Sequence, residues 1–317
     1  MNISLDEIKS ESKKVKDVQY LDDHRDSMVK GFVNGYELGK TTYFNGINPH
    51  FRWLKKNLIM FAGYGNHGKS AMLNQLLLLR ALNDNEKFAI FSPENMPVDH
   101  FYNDIIHTLI GKSTMKQHHN QMSMIEYEAG MEFVKEHFFL LYPETESPTP
   151  EYINDRFLDA IVKHGVDGCV IDPFNQLEND WEKSGRDDKY LSSFLGKEKM
   201  FAQRNDVYKI IVGHCKSPRN PITDDGVIKE PNVFDLAHGA MWNNKIDDIL
   251  FVHRPYKISE PDNTMALFTS AKIKKQRICG RPGTVQVHFD PMKNRFYMEN
   301  EDPFTELDKH IKEKMGI

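Results

Sequence analysis

A glycine-rich segment near residue 63 has the residue types and spacing of a loop that binds phosphate groups. Its sequence, Gly63-Tyr64-Gly65-Asn66-His67-Gly68-Lys69-Ser70, matches the pattern G-x-x-x-x-G-K-[ST] in full. Glycines let the backbone wrap around phosphates with its N–H groups pointing inward, and a helix that follows adds the positive end of its dipole. In this pattern the lysine reaches the β- and γ-phosphates, and the hydroxyl holds Mg²⁺.

We call residues 63–70 the phosphate loop, and it predicts that the chain binds ATP and Mg²⁺. The residues assigned to the nucleotide in this segment are Gly63, Gly65, Asn66, His67, Gly68, Lys69, Ser70 and Ala71.

Two acidic residues follow apolar runs that are typical of buried strands. Asp172 ends the run Cys169-Val170-Ile171, and Glu94 comes shortly after the run 87–91. Ligands in open α/β sheets lie at the carboxyl ends of the strands. We therefore expect Asp172 to bind Mg²⁺ together with Ser70, and Glu94 to polarise the water that attacks the γ-phosphate. The alternative for Glu94 is a capping role before the helix that we predict from about Pro97.

Strands and helices must alternate along the chain to position these residues. Apolar runs predict strands at 58–62, 87–91, 137–141, 169–171, 208–212, 249–252, 265–273, 284–289 and 295–298. One predicted helix begins near residue 69. Further helical patterns cover about 97–110, 123–137, 149–165 and 187–203. The alternation predicts an α/β fold with a mainly parallel sheet covered by helices on both faces. The last three strands, with short connections, predict an antiparallel extension at one edge.

The composition is that of an ordinary globular protein. The 317 residues are 39% hydrophobic and 27% charged, with a formal net charge of −5, which excludes the bulk basicity of a chromatin protein. The three cysteines stand far apart, and neither a membrane-spanning run nor a signal peptide is visible, so we expect an intracellular setting. Residues 272–281 hold five Lys or Arg and no acid, the strongest local positive patch.

Several segments together resemble the RecA-type ATPase core and, within it, the DnaB family of replicative helicases. A third strand ends in Val212-Gly213-His214, after those that end near Glu94 and Asp172. The segment 234–254 resembles the corresponding part of DnaB-family helicases, and it is most similar to the TWINKLE-like branch. The segments 91–95 and 271–283 fit the same branch, and the resemblance covers about residues 40–300.

The resemblance implies further roles. His214 matches the residue that senses the γ-phosphate, and Lys275 and Arg277 match the basic pair that reaches into a neighbouring subunit's ATP site. Arg254 is placed to stack on the nucleotide base. The segment 237–243 matches the part that grips single-stranded DNA, although Ala237 and His238 replace the Arg and Glu of bacterial relatives. The residues assigned to DNA are His238, Gly239, Ala240, Asn243 and Lys245. Trp242 is more typical of a core position than of a base-stacking one.

The resemblance also implies an organisation. We expect an N-terminal arm over 1–45, with a charged helical stretch over 4–16, that packs on a neighbouring subunit. A motor domain over 46–300 and a short helical tail over 301–317 follow. The implied protein is an ATP-dependent DNA helicase that forms a hexameric ring, moves 5′ to 3′ on single-stranded DNA at a fork, and works with a separate primase or loader. The alternatives are a recombinase of the RecA or RadA kind, and a loader or scaffold ATPase that is not a motor.

Overall fold

A single mixed sheet organises the larger part of the chain. The computed structural model describes residue 15 and residues 17–145, 147–178, 187–217, 222–224, 226–299 and 301–304. Within these residues the sheet has nine strands, in the order β3-β2-β4-β5-β1-β6-β7-β8-β9. The strands are β1 Leu58–Gly63, β2 Phe88–Phe91, β3 Phe138–Leu141, β4 Gly168–Ile171, β5 Tyr208–His214, β6 Asp248–His253, β7 Met265–Ile273, β8 Gly283–Asp290 and β9 Arg295–Tyr297.

The sheet is parallel on one side and antiparallel on the other. The six strands from β3 to β6 pair in parallel, whereas β7, β8 and β9 add antiparallel strands beyond β6. This confirms the predicted mainly parallel sheet with an antiparallel extension. Parallel strands need crossover connections, and helices supply them here.

Helices that follow residue 38 cover both faces of the sheet. The helices of the described chain are α1 Arg25–Asn34, α2 Lys69–Asp84, α3 Val98–Ile110, α4 Met124–His137, α5 Pro150–His164, α6 Asp187–Asn205, α7 Gly239–Lys245 and α8 Gln276–Cys279. Short 3₁₀ turns lie at Leu21–His24, Phe174–Gln176 and Val233–Asp235. The start of α5 shows why the sequence specifies these boundaries: the Thr149 hydroxyl accepts a hydrogen bond from the Tyr152 N–H, and Pro150 occupies the first turn.

Strand β1 separates two hydrophobic cores. Its side chains alternate, so Ile59 and Phe61 join the core beneath α2, α3 and α4. Met60 and Ala62 join the core on the other face, beneath α5, α6 and α7. All four are completely buried. Because burial of a large apolar side chain stabilises the fold by about 1.5–3 kcal/mol, this strand fixes the position of the phosphate loop that follows it.

The residues before the sheet form a separate unit. The chain divides at Leu38, and the N-terminal unit contains the 3₁₀ turn Leu21–His24 and helix α1. No side chain of α1 is buried, and Phe32 is 89% exposed. The segment 39–45, which belongs to the predicted arm, lies in the larger unit, where Thr42 and Phe44 are buried.

Some predicted segments lie outside the described residues. These are almost all of the charged stretch 4–16 and residues 305–317 of the expected tail. Within the described part of the chain, no helix is both long enough and apolar enough to cross a membrane.

Candidate functional site

The phosphate loop leaves β1 at the carboxyl edge of the sheet and ends where α2 begins. Its first glycine, Gly63, has φ +148° and lies so close to β6 that an added Cβ would be 2.5 Å from the Val252 carbonyl oxygen. Gly68 has φ +89° and precedes the first residue of α2, Lys69. At Gly65 an added Cβ would meet nothing within 4 Å, so the middle of the loop faces open space. A ligand can therefore approach the backbone there, as phosphate binding requires.

Lys69 lies against the loop with its ammonium group buried. Its Nζ donates a hydrogen bond to the Tyr64 carbonyl at 2.8 Å, and the residue is 4% exposed. Burial lowers the pKa of Lys69, an effect opposed by the negative charges of Asp172 and Glu94. A desolvated ammonium beside the loop is the arrangement that would bind the outer phosphates of a nucleotide.

Ser70 and Asp172 bring two side chains with oxygen atoms together next to Lys69. The Ser70 hydroxyl donates a hydrogen bond to the Asp172 carboxylate, which is 7% exposed. Burial raises the pKa of Asp172 to about 6, although the Ser70 hydrogen bond and the charge of Lys69 oppose the rise. Among the described residues there is no cluster of three or more His, Cys, Asp or Glu side chains that could hold a metal. Mg²⁺ in nucleotide sites is usually bound by one or two protein ligands, together with water molecules and phosphate oxygens. This pair therefore fits a Mg²⁺ ion that binds together with a nucleotide.

Glu94 and His214 complete a cluster at the same edge. Strand β2 precedes Glu94, β4 precedes Asp172 and β5 ends at His214. These three strands and β1, which precedes the phosphate loop, are adjacent in the order β2-β4-β5-β1. Glu94 is exposed, and its Oε1 accepts a hydrogen bond from the Gln176 side chain at 2.9 Å. His214 pairs in register with Gly63, and burial together with the charge of Lys69 lowers its pKa. The carboxylate of Glu94 acts in the opposite direction on that pKa, so the two side chains interact.

A histidine pair lies behind the loop. His67 is 4% exposed and stacks on His253, with ring centroids 5.3 Å apart. Its Nδ1 accepts a hydrogen bond from the Arg254 backbone N–H at 2.9 Å. Burial, with smaller contributions from the neighbouring cations, lowers the pKa of His67 to about 3. The His67 side chain thus ties the loop to the end of β6, and the nucleotide would meet the backbone of this residue.

Arg254 has a different environment from the one predicted for it. Its guanidinium donates hydrogen bonds to the carbonyl oxygens of Asn263, at 3.2 Å, and of Pro261, at 3.5 Å. Arg254 therefore fixes the loop after β6, and its role toward a nucleotide base stays a prediction.

The segment assigned to DNA begins with a tight turn and continues as helix α7. His238 has φ +59° and precedes Gly239, where a Cβ would lie 2.3 Å from the Val233 carbonyl oxygen. Ala240 and Lys245 are exposed, and Asn243 is partly exposed. Trp242 is 4% exposed and donates its indole N–H to the Ala237 carbonyl at 2.9 Å, so its ring belongs to the core.

Lys275 and Arg277 lie at the opposite end of the parallel strands from the phosphate loop. They follow the end of β7, where Ile273 pairs with Asp248, the first residue of β6. The phosphate loop follows the other end of these strands, about 15–20 Å away at a rise of ~3.3 Å per residue. Both side chains are exposed, and neither forms an ion pair with a described residue. Within one chain, the basic pair and the phosphate loop are therefore not brought together.

Strand β7 is anchored to the end of α7 just before this basic pair. The Lys272 ammonium donates to the carbonyl oxygens of Asn243 and of Ile246, the latter at 2.7 Å. Lys274 pairs with the buried carboxylate of Asp247 at 3.1 Å. The last turn of α7 and the end of β7 thus form one connected structure.

Two residues join the site without any sequence motif to mark them. Gln176 contacts Glu94 across 82 positions of the chain, and the Lys257 ammonium donates to the Gly65 carbonyl at 3.2 Å across 192 positions. A signal for Gln176 is its place shortly after the strand that ends at Asp172. Lys257 has no signal apart from its place in the loop after β6.

The chain is similar to known proteins in sequence and in fold. The model of the family described as DnaB-like helicase C terminal domain matches residues 39–298. The Twinkle homolog protein, chloroplastic/mitochondrial, of Arabidopsis thaliana is 27% identical over 227 residues, which are 70% of this chain and 31% of that protein. The chain thus spans less than a third of the length of that relative.

Two solved structures share the fold. The first, an ATPase domain, has a TM-score of 0.72 and 17% sequence identity, and the match covers 88% of this chain and 99% of that one. The second, a DnaB-like replicative helicase solved in a study of its interactions with primase, has a TM-score of 0.66 and 15% identity, over 92% of this chain and 70% of that one. These likenesses confirm the predicted RecA-like fold.

Proposed function

The chain belongs to the family of DnaB-like helicase C-terminal domains, and from this premise we propose that it is the motor of a replicative DNA helicase. It hydrolyses ATP, translocates 5′ to 3′ on single-stranded DNA and unwinds the duplex at a fork, inside the cell. Family membership and the likeness to the Twinkle homolog support the class of enzyme. The direction and the fork substrate are part of the proposal.

The observation that carries the proposal is the convergence of four side chains on the phosphate loop. Lys69 and Asp172 lie buried beside the loop, and Glu94 and His214 lie close enough to Lys69 to interact with its charge. A phosphoryl-transfer site needs a cation at the phosphates, oxygen ligands for Mg²⁺ and a base for the attacking water. The cluster contains a candidate for each.

The roles follow from chemistry and position. Lys69 binds the outer phosphates, and Ser70 and Asp172 hold Mg²⁺, which when bound neutralises charge that develops on the phosphates. Glu94, oriented by Gln176, accepts the proton of the attacking water. His214 contacts the γ-phosphate and responds to its loss.

We propose that the site is completed by a second subunit. Lys275 and Arg277 are exposed at the sheet edge away from their own phosphate loop. This exposure supports the proposal that they reach the loop of a neighbour in a closed ring, which we propose to be a hexamer. A residue of this kind supplied in trans accelerates phosphoryl transfer by ~10³–10⁵-fold.

The exposed helix α1 fits the same assembly. Its apolar side chains Met28, Val29, Phe32 and Val33 are between 45% and 89% exposed. Apolar surface of this kind marks an interaction site. We propose that α1 packs on the adjacent subunit and holds the ring together.

DNA is proposed to bind at the start of α7. His238 and Ala240 are exposed there, and Asn243 and Lys245 follow on the same short helix. Contacts from backbone N–H groups and from these side chains would track the phosphate backbone without reading its sequence. A separate primase or loader is the partner that we propose for the ring.

Strand separation tests the proposal. A forked duplex with a 5′ single-stranded tail is incubated with the protein and MgATP, and unwinding and phosphate release are followed in one reaction. We expect unwinding together with DNA-stimulated hydrolysis, and neither with Lys69→Ala. A fork with a 3′ tail sets the direction.

Other outcomes would favour the alternatives. DNA-stimulated hydrolysis with filaments on DNA and no closed rings would favour a recombinase. A rate of ATP hydrolysis that is the same with and without DNA would favour a loader or scaffold ATPase. A Lys69→Ala variant that hydrolyses ATP like the wild type would contradict the assignment of the phosphate loop itself.

A further inference from the structure

Two lysines bind consecutive carbonyl groups of the phosphate loop. The Lys69 ammonium donates to the Tyr64 carbonyl at 2.8 Å, and the Lys257 ammonium donates to the Gly65 carbonyl at 3.2 Å. Lys69 belongs to the sequence motif, whereas Lys257 comes from the loop after β6, 192 positions along the chain from Gly65. The Cα of Gly65 faces open space, and Lys257 lies beside it at the Gly65 carbonyl.

The loop that carries Lys257 is held in place by its own hydrogen bonds. The Arg254 guanidinium donates to the Asn263 carbonyl at 3.2 Å, and the Glu260 N–H donates to the Tyr256 carbonyl at 2.8 Å. The Asn263 side chain donates to the Glu260 carboxylate at 2.8 Å. Lys257 is therefore presented from a defined position.

The charge of Lys257 has no acidic partner within the described part of the chain. A carbonyl oxygen is its hydrogen-bond acceptor. Burial lowers the pKa of Lys257, and the positive charge of Arg254 lowers it further. The positive charge of Lys257 in turn contributes to lowering the pKa of Lys69. Two ammonium groups held near each other at an open loop favour a polyanion, which would neutralise both.

We propose that Lys257 is a second lysine of the nucleotide site, which binds the phosphate chain of ATP together with Lys69. This rests on the proposed ATPase function and adds a residue to that site. Lys257 is supplied by the same subunit as the phosphate loop, whereas Lys275 and Arg277 would come from a neighbour. Each subunit would then bind the phosphates of ATP with two lysines of its own, before Lys275 and Arg277 of a neighbour complete the site.

The test is the affinity for MgATP, measured by calorimetry at several NaCl concentrations. Removal of a hydrogen bond to a charged group predicts that Lys257→Met weakens binding by about 10- to 100-fold. Because a charge is lost, the affinity of Lys257→Met should also depend less steeply on salt than that of the wild type. Lys257→Arg should retain most of the affinity and the salt dependence. Lys163→Met, which removes an exposed lysine on α5, controls for net charge and should match the wild type.

The alternative role of Lys257 is to stabilise the loop through Gly65 alone. Lys257→Gln keeps an N–H donor for that carbonyl without the charge, and it serves equally if Lys257→Met does not fold. MgATP affinity within twofold of wild type in Lys257→Gln, or weakened affinity with an unchanged salt dependence, would overturn the proposal. A wild-type protein that does not bind MgATP would instead remove the proposed function.

Discussion

His214 and His238 line the same cavity, a space of about 270 Å³ between the end of β5 and the start of α7. His214 interacts with the charges of Lys69 and Glu94 at the proposed catalytic cluster. His238 is the turn residue that begins the segment proposed to bind DNA. Phe174 and Trp242 also line the cavity, so it borders both the proposed catalytic cluster and the segment proposed to bind DNA. A change at the γ-phosphate therefore has a short physical route to the DNA segment.

The first prediction concerns this route. His214→Ala should bind MgATP like the wild type but should lose most of the stimulation of hydrolysis by single-stranded DNA, because the side chain between the two regions is gone. Phosphate release with and without DNA measures the effect, with His119→Ala, an exposed histidine far along the chain, as the control. Full DNA stimulation in His214→Ala would show that His214 does not couple the two regions.

The second prediction concerns the base. Glu94→Gln should reduce the hydrolysis rate by ~10²–10⁴-fold while MgATP affinity is retained, because the amide cannot accept a proton. Gln176→Ala removes the hydrogen bond that orients Glu94 and should cost about tenfold in rate. Single-turnover hydrolysis measures both, with the exposed Glu128→Gln as a matched control. A Glu94→Gln enzyme with a normal rate would show that Glu94 is not the base. The alternative capping role is not seen in the structure, because Pro97 is the N-cap of α3 and no side chain caps that helix.

The third prediction concerns the effect of the ionised Asp172 carboxylate on the stability of the ligand-free protein. Its folded-state pKa of about 6 lies above the ordinary value of 3.8, so the folded protein binds the proton more tightly than the unfolded chain does. The ionised carboxylate therefore destabilises the ligand-free protein above about pH 6, by up to roughly 3 kcal/mol, and this penalty disappears as the pH falls below about 4.

Asp172→Asn should accordingly raise the Tm of the nucleotide-free protein by several degrees at pH 8 and change it little at pH 4. The amide oxygen still accepts the hydrogen bond from Ser70, so the packing is preserved. Thermal unfolding at both pH values measures the difference. An equal Tm for the two proteins at pH 8 would show that the buried carboxylate carries no such penalty. The same variant should lose Mg²⁺-dependent hydrolysis.

The fourth prediction concerns the shared site. Arg277→Ala should slow hydrolysis by ~10³-fold or more, as should Lys69→Ala. Mixed rings should recover activity, because a normal phosphate loop can meet a normal basic pair from the other variant. Random mixing of equal amounts predicts about a quarter of the wild-type rate, since each interface needs one subunit of each kind in the right order. Two variants that stay inactive after mixing would contradict supply in trans.

Most of the fold follows from local patterns in the sequence. The apolar run of β1 and the Thr149-Pro150 start of α5 are short-range signals, and the structure confirms both. The gathering of Glu94, Asp172 and His214 at one edge could also be predicted, because parallel strands bring their carboxyl ends together. In these cases, residues close in sequence and one rule of topology are sufficient.

The remaining features depend on contacts between distant residues. Nothing near Lys257 in the sequence indicates that it meets Gly65, and nothing near Gln176 indicates Glu94. Helix α7 has seven residues, too few for its periodicity to be recognised, and it is stabilised by the Lys272 ammonium at its last turn. The separation of Arg277 from its own phosphate loop becomes visible only when the register of β6 and β7 is known.

Helix α7 is about 10 Å long at 1.5 Å per residue, and its two ends have different neighbours. One end borders the cavity beside His214, and the other is bound by Lys272 near the end of β7, shortly before Lys275 and Arg277. If α7 binds DNA as proposed, a displacement of this helix would act through Lys272 on the basic pair, which we propose to complete the adjacent subunit's site. In the proposed ring, DNA binding by one subunit would then be coupled to hydrolysis at the next through the Lys272 contacts.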